Sequence, residues 1–373
     1  MIYLDYCANT PCDESVLKTY LQTERTFFGN PNAGHIAGQA ARERLSEAAR
    51  SAGASLGIAD DEIIWTSGAS EANNLAIKGI ARAQRHRGRH IITTPLEHPS
   101  VSGPLTHLQE QGYEIDLLEI ERSGKISLEH LKELIRQDTV LVAVSAVDSE
   151  LGVVQPVGEI AQITASYPNS RLHVDATQAI GKTAFSFAGI DTASLAAHKF
   201  YGPNGVGLLY KRRDLVIEPL IHGGAGATVY RSGTPTLALA AALAAALEQS
   251  IGNLESRCAR VRRLNDRLRS ALSGYPAVRI NSPADSVPHI LNLSVAGVRG
   301  TQFQRSLSER GVCVSVKSAC SVEGTPSRAV FAVSRDRKNA LSSWRISLSH
   351  LTTDEEITRF LELFEACLGE LTS

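Results

Sequence analysis

HVDATQAIGKTAFSFAGIDTASLAAHKFYGPNGVG, residues 173–207, carries two apolar runs that each stop on charged side chains. The first, Leu172 to Val174, stops at Asp175. The second, Thr192 to Ala197, stops at His198 and Lys199, and the glycine- and proline-rich loop Gly202 to Gly207 follows. Burying a carboxylate or an ammonium is costly unless the group is paired. A strand that ends on one therefore either reaches the surface or meets something that needs the charge. In open α/β sheets, ligands sit beyond the carboxyl ends of the strands.

Outward from this stretch the chain alternates. Towards the N-terminus come a strand Ile2 to Tyr6, a helix start at Asp13-Glu14-Ser15, a turn-rich loop Phe28 to His35, and an alanine-rich helix Ile36 to Leu56. A strand Glu62 to Thr66 leads through Ser67–Glu71 into a helix Ala72 to Ala83. A strand His90 to Thr94 stops near Glu97-His98-Pro99. Then follow a helix Val101 to Gln111, a strand Glu114 to Leu118, and a helix from Leu128 to Arg136 behind a Ser127 cap. Val140 to Val147 is nearly all apolar, as expected of a strand buried on both faces of a parallel sheet, and ends at Asp148–Gly152. A helix Val157 to Tyr167 returns to the opening stretch. This alternation predicts a large α/β domain, residues 14–252, with a mainly parallel doubly wound sheet.

Beyond Ile251 the pattern changes. A charged helix Asn253 to Leu272 precedes strands Val278–Ile280 and Ile290–Val295, a helix Thr301 to Arg310, and a strand Val312–Val316. Trp344–Leu348 and a helix Thr353 to Leu368 complete a smaller α+β domain, residues 253–373, which residues 1–13 are expected to join.

The 373 residues carry 38 Lys+Arg against 39 Asp+Glu, so no global field draws nucleic acid or an anionic membrane. Arg82, Arg85, Arg87 and Arg89, with His86 and His90, read as an exposed helix end. The longest charge-free apolar run, Leu237 to Leu247, is too short to span a bilayer. The opening MIYLDYCANTP lacks a basic segment followed by an apolar one, so the expected location is cytoplasmic. Six cysteines form no CxxC pair and no zinc spacing, and reduced thiols are expected. Cys258, Cys313 and Cys367 read as small buried apolar residues.

The residues at successive strand ends make one chemical set. Ser67–Glu71 offers a helix N-terminus for a phosphate, His98 an imidazole, Ser149 a hydroxyl, Asp175 a carboxylate, Gln178 an amide and Lys199 an amine. Pyridoxal 5′-phosphate (PLP) needs those groups, because its aldehyde condenses with an amine and its ring nitrogen needs an acid to stay protonated.

Further stretches extend the pattern over nearly the whole chain. They are YLDY (3–6), FGNP (28–31), TSGASEANNLAIKG (66–79), EH (97–98), HVDATQ (173–178), HKFYGP (198–203), RSGT (231–234), SACS (318–321) and RISL (345–348). In this order they resemble the cysteine desulfurases of the NifS/IscS type, class-V aminotransferase-like enzymes of PLP fold type I. The resemblance implies that Lys199 attaches the cofactor, Asp175 pairs with the ring nitrogen and His98 stacks on the ring. Gln178 and Ser149 then face the phenolic oxygen, while Ala69, Ser70, Ala196 and His198 approach the phosphate. Thr234 reaches the phosphate of a partner subunit, which implies a homodimer. Arg345 and an asparagine, Asn30 or Asn32, hold the carboxylate of L-cysteine. Cys320 is the implied nucleophile, whose thiolate Lys317 favours. Freed Lys199 removes the α-proton, Cys320 takes the sulfur as a persulfide, L-alanine leaves, and an acceptor protein collects the sulfur. Acceptors among relatives serve iron–sulfur scaffolds, tRNA thiolation and DNA phosphorothioation.

Three residues depart from the family pattern. Ser149 stands for the usual asparagine, Ala196 for a phosphate-facing serine, and Lys317 for a glycine before Ser-Ala-Cys. One lost hydrogen bond to a charged group costs about 1.5–3 kcal/mol unless water replaces it. Two alternatives follow. One is another reaction of the same fold, as selenocysteine lyase, cysteine C–S lyase or aminotransferase, where Cys320 discriminates because those eliminations and transaminations need no thiol nucleophile. The other is a catalytically impaired, partner-binding paralogue.

Overall fold

The computed structural model describes residues 1–224, 228–317 and 324–372. Twelve strands are described: β1 (Ile2–Tyr3), β2 (Ile63–Thr66), β3 (His90–Thr93), β4 (Glu114–Leu117), β5 (Thr139–Ser145), β6 (Leu172–Asp175), β7 (Thr192–Ala196), β8 (Gly207–Lys211), β9 (Val278–Ile280), β10 (Ile290–Val295), β11 (Val312–Cys313) and β12 (Ser343–Ser347). The helices that matter below are α1 (Glu14–Thr26), α2 (Ile36–Leu56), α3 (Ala69–Ala83), α4 (Pro99–Glu110), α5 (Leu128–Leu134), α6 (Val157–Ala165), α7 (Leu237–Gly252), α8 (Leu254–Leu272), α9 (Gly300–Glu309), α10 (Arg328–Ser334), α11 (Arg337–Ser342) and α12 (Asp354–Thr372).

Seven strands form the large sheet in the order β2-β8-β7-β6-β5-β3-β4. The pairs β3–β4, β3–β5, β5–β6 and β6–β7 are parallel. Every position of β5 is buried, as its unbroken apolar sequence demands. The α/β architecture with a mainly parallel sheet is therefore present. One strand escaped the sequence reading. The segment after the glycine-rich loop turns back as β8, which runs antiparallel to both β7 and β2. Gly207 opens it, and a Cβ there would lie 2.6 Å from the Gly68 backbone, so the close crossing of the two chains requires glycine.

The smaller sheet, β12-β10-β9, is antiparallel, and β1 lies parallel to β11 beside it. Ile2 and Leu4 enter the same apolar core as Val261, Phe303, Trp344 and Phe364, while Cys7 packs in the core of the large sheet. The N-terminal segment thus ties the two cores together.

Several boundaries differ from those expected. α3 begins at Ala69 rather than Ala72, which places Ala69 and Ser70 in its first turn. β11 ends at Cys313, and Ser315 instead bridges to Arg345. α10 and α11 were not expected, being only seven and six residues long. His90 is not part of an exposed basic end: it is fully buried on β3, its Nδ1 2.7 Å from Thr139 Oγ1. The alanine-rich α7 packs against α2 and α1, where small side chains allow close approach. Among the described residues no single helix is long and apolar enough to cross a membrane.

Candidate active site

The carboxyl ends of β2, β5, β6 and β7 converge on one cavity of about 360 Å³. Lys199, Asp175, His98, Gln178, Ser149 and Arg345 all line it, with Ala69, Ser70, Ala196 and His198. Ten residues singled out in the sequence thus share one space. At its base Gly68 has φ 154°, a conformation that side-chain-bearing residues rarely adopt, and α3 starts at the next residue. The first-turn N–H groups of a helix have no intrahelical acceptor, so this end of α3 suits an anion.

Asp175 closes β6 almost completely buried. Its Oδ1 accepts from the Thr177 N–H at 3.0 Å and its Oδ2 from Asn73 Nδ2 at 2.9 Å. Both partners are neutral, and among the described residues no cation pairs with this carboxylate. Asn73, on the buried face of α3, uses its whole amide. Nδ2 also donates to Ser100 Oγ at 2.8 Å, while Oδ1 accepts from Ser194 Oγ and from His173 Nε2, the latter at 2.9 Å. An amide oxygen only accepts, so His173 carries its proton on Nε2 and accepts from Thr192 Oγ1 at Nδ1, 2.9 Å away. Burial keeps that imidazole neutral, with its pKa well below the ordinary value.

His98 caps α4, its Nδ1 accepting from the Ser100 N–H at 3.1 Å. That bond leaves the ring proton on Nε2. Burial lowers the His98 pKa, with Lys199 adding to the effect and Asp175 opposing it, so the ring is neutral and apolar enough to stack. Just before it, Glu97 is buried and accepts from Thr94 Oγ1 at 2.8 Å and from Ser145 Oγ at 2.6 Å.

Lys199 Nζ donates to the Cys7 and Ala8 carbonyls, at 2.8 and 2.7 Å. Gln178 Nε2 donates to the same Cys7 carbonyl at 3.0 Å, while its buried Oε1 has no partner. Burial lowers the Lys199 pKa below the ordinary lysine value, and Arg345 adds to that while Cys7, Asp5 and Asp175 oppose it. Arg345 is itself only 2% exposed. Its Nη1 donates to the Ser149 carbonyl at 2.7 Å and its Nη2 to Asp5 Oδ1 at 3.0 Å, and its buried Nε has no partner. Asp5 Oδ2 accepts from Ser315 Oγ at 2.7 Å.

Three described sequence candidates are not in this cavity. Asn30 and Thr234 lie together in a separate cleft beside α1, and Asn32 lines a third, next to β2. Neither asparagine is brought to Arg345 within one chain, because Asn30 turns back on its own loop, its Oδ1 accepting from the Asn32 N–H at 2.9 Å. Cys320 lies outside the described residues.

A family model, Aminotransferase class-V, matches residues 2–360. The chain belongs to the class-V aminotransferase family. The NifS/IcsS protein homolog of Lactobacillus delbrueckii subsp. bulgaricus is 36% identical to this member over 371 residues, covering 98% of this chain and 96% of the relative. The cysteine desulfurase IscS of Dictyoglomus turgidum is 35% identical over 375 residues, 99% of this chain and 95% of that one. A solved NifS-like protein superposes with a TM-score of 0.93 at 34% identity, over 99% of this chain and 100% of its own. This class-V chain is thus a NifS/IscS-type protein with PLP as its cofactor. Its residues fit that group. A buried carboxylate without a cation suits a protonated ring nitrogen, and an orphaned amide oxygen with an open helix end suits the polar substituents.

Sequence reasoning passed over Asn73, His173, Ser194 and Asp5. A signal existed for Asn73: it is the polar residue among Ala72, Ala76 and Ile80 on the inward face of this family member's α3. It also passed over Lys182, buried behind Lys199 with its Nζ donating to the Lys199 carbonyl at 3.1 Å. Burial lowers its pKa from 10.5 to about 8. Below pH 8 both folded and unfolded chains carry this charge, and the fold bears the cost of burying it. Between about 8 and 10.5 the unfolded chain holds a proton that the fold has released, so stability rises with pH. Lys182→Met should therefore stabilise the fold at pH 7 by about 3 kcal/mol, less the lost hydrogen bond. Thermal melts across that alkaline window should show a flatter rise for the variant, and parallel wild-type and variant profiles would refute this.

Proposed function

We propose that this chain takes sulfur from L-cysteine, releasing L-alanine and leaving a persulfide on Cys320 for an acceptor protein. The observation that carries the proposal is the meeting of Asp175, His98, Lys199 and Arg345 in one cavity. When bound there, PLP supplies an aldehyde for the amine and a ring that draws electron density from the substrate α-carbon. Asp175 holds the proton on the ring nitrogen. The neutral His98 ring covers one face of the site. Arg345 binds the substrate carboxylate through the donors that its two fixed hydrogen bonds leave over. Lys199 Nζ, whose burial favours the free amine, takes the α-proton. Cys320 thiolate then attacks the substrate sulfur. A sulfur–sulfur bond forms, the carbon–sulfur bond breaks, and its electron pair stays on the carbon that becomes the methyl group of alanine.

Phe28 and Ile36, 82% and 84% exposed in the single chain, support a homodimer that covers this face. Thr234 and Asn30, in the cleft beside them, are the residues that such a partner would draw into its own site. Free thiols at all five described cysteines support a reducing, cytoplasmic setting, and iron–sulfur assembly or tRNA thiolation are fitting sinks for the sulfur.

The test is Cys320→Ser. Alanine formation with dithiothreitol present should fall about a hundredfold, with no persulfide in the intact-protein mass. Unchanged alanine formation would sink the proposal and favour a lyase-type reaction.

A further inference from the structure

We propose that an exposed basic stripe along α10 and the start of α11 docks an acidic face of the protein that collects sulfur from Cys320. The inference rests on the desulfurase reading, which requires a thiol-bearing acceptor to approach the cavity. Arg328 and Phe331 are three residues apart and share one face of α10, and Arg335 follows as its left-handed C-cap, its N–H donating to the Phe331 carbonyl. All three are exposed, and Arg337 and Lys338 continue the exposed surface. Among the described residues, none of these four cations is within ion-pair distance of a carboxylate. The one acid among them, Asp336, accepts instead from the Lys338 and Asn339 N–H groups at 2.9 and 3.1 Å, capping α11.

The opposite face of α10 explains why the helix exists. Ala329 and Val330 pack against Leu151 and Val153. The outer face has no such role in the fold, yet it presents a large aromatic side chain, 43% exposed, between cations in a chain of net charge −1. An apolar centre in a charged rim is the composition of a protein interface. Its position fits the task. A cleft of about 450 Å³ beside α10 is lined by Arg328, Lys317 and Glu150, and shares Leu96, His98 and Ser149 with the cofactor cavity. The stripe therefore borders a passage to the reacting centre. A nucleic acid would also be attracted by the charge, but it has no thiol to receive the sulfur. An acidic protein face is the occupant that fits both the charge and the chemistry.

The step is a thiol exchange. The acceptor thiolate attacks the outer persulfide sulfur, a new sulfur–sulfur bond forms on the acceptor, and Cys320 leaves as thiolate. The probes are a glutamate-rich peptide and a lysine-rich peptide, each with one cysteine, offered to the full-length holoenzyme with L-cysteine. Mass spectrometry reads peptide persulfide. Transfer to the acidic peptide should be about tenfold faster, and the preference should vanish at about 0.5 M salt. It should vanish also in Arg335→Glu/Arg337→Glu/Lys338→Glu, while alanine formation with dithiothreitol stays at the wild-type rate. Equal rates on the two peptides overturn the proposal, as does a charge-reversed variant that keeps the preference. Stripe-dependent binding of a single-stranded RNA oligonucleotide, without any preference between peptides, overturns it too. Absence of dithiothreitol-supported alanine formation in the wild type overturns the desulfurase reading and this proposal with it. Its presence with equal peptide rates overturns the docking surface alone.

Discussion

Lys199→Ala is expected to leave a folded protein that retains no cofactor after borohydride reduction and turns cysteine over about 10⁴-fold more slowly. The size follows from two tasks held by one atom. Nζ is the only lysine amine lining the cavity among the described residues, so it is the group that would hold the cofactor aldehyde and take the substrate α-proton. Its present partners are two backbone carbonyls, Cys7 and Ala8, which accept from it and orient it without the full negative charge by which a carboxylate would hold it as an ammonium. Burial lowers its pKa, so the free amine is more accessible than in an exposed lysine. Alanine keeps the turn between β7 and the glycine-rich loop, because the Lys199 backbone makes that turn. Intact mass after borohydride treatment is the primary readout. A variant that still gains the mass of reduced cofactor would place the attachment elsewhere, and Lys182, buried just behind, is the residue to examine next.

Much of this site could be read before any coordinates. Asp175 and His198-Lys199 were legible because they interrupt apolar runs, and a sheet of alternating strands and helices puts such interruptions at one edge. The parallel core was legible in the unbroken apolar sequence of β5. What stayed hidden follows from how the signals work. β8 was missed because Gly207–Lys211 follows a turn directly, and five residues give little periodicity to detect. Asn73 and His173 were hidden in helix and strand interiors, where a polar residue reads as an exception rather than as the partner of another exception far along the chain. Their bond spans 100 residues of sequence. Asp5 is close to Arg345 only because the N-terminal segment returns to the smaller domain beside β12, a register that nothing local announces. The asparagines of the 30–32 loop are a different case, because within one chain they line clefts apart from the one that holds Arg345.

Asp175→Asn should lower turnover about 10³-fold while leaving cofactor attachment at Lys199 intact, and the reason lies in the bonds around the carboxylate. A buried charge whose partner is removed costs about 3–5 kcal/mol, and about 4 kcal/mol corresponds to a factor of 10³ in rate. Asp175 accepts from Thr177 N–H and Asn73 Nδ2, two neutral donors that fix its plane and leave its charge uncompensated by any described side chain. That charge is available to keep a proton on the cofactor ring nitrogen, the condition under which the ring draws electrons from the α-carbon. Asparagine preserves size but loses the charge, and its amide must also present one polar atom to Asn73 Nδ2. Because Asn73 is held by Ser100, Ser194 and His173 in addition, it cannot rotate to adapt without breaking those bonds. Asn73→Ala should therefore act in the same direction but more weakly, by about tenfold, since the carboxylate keeps its charge and loses only one anchor. Alanine formation against cysteine concentration separates the two effects: both variants should lose kcat with little change in KM, because neither residue touches the substrate carboxylate. An Asp175→Asn enzyme within about tenfold of the wild-type kcat would mean that the ring nitrogen is not what this carboxylate serves.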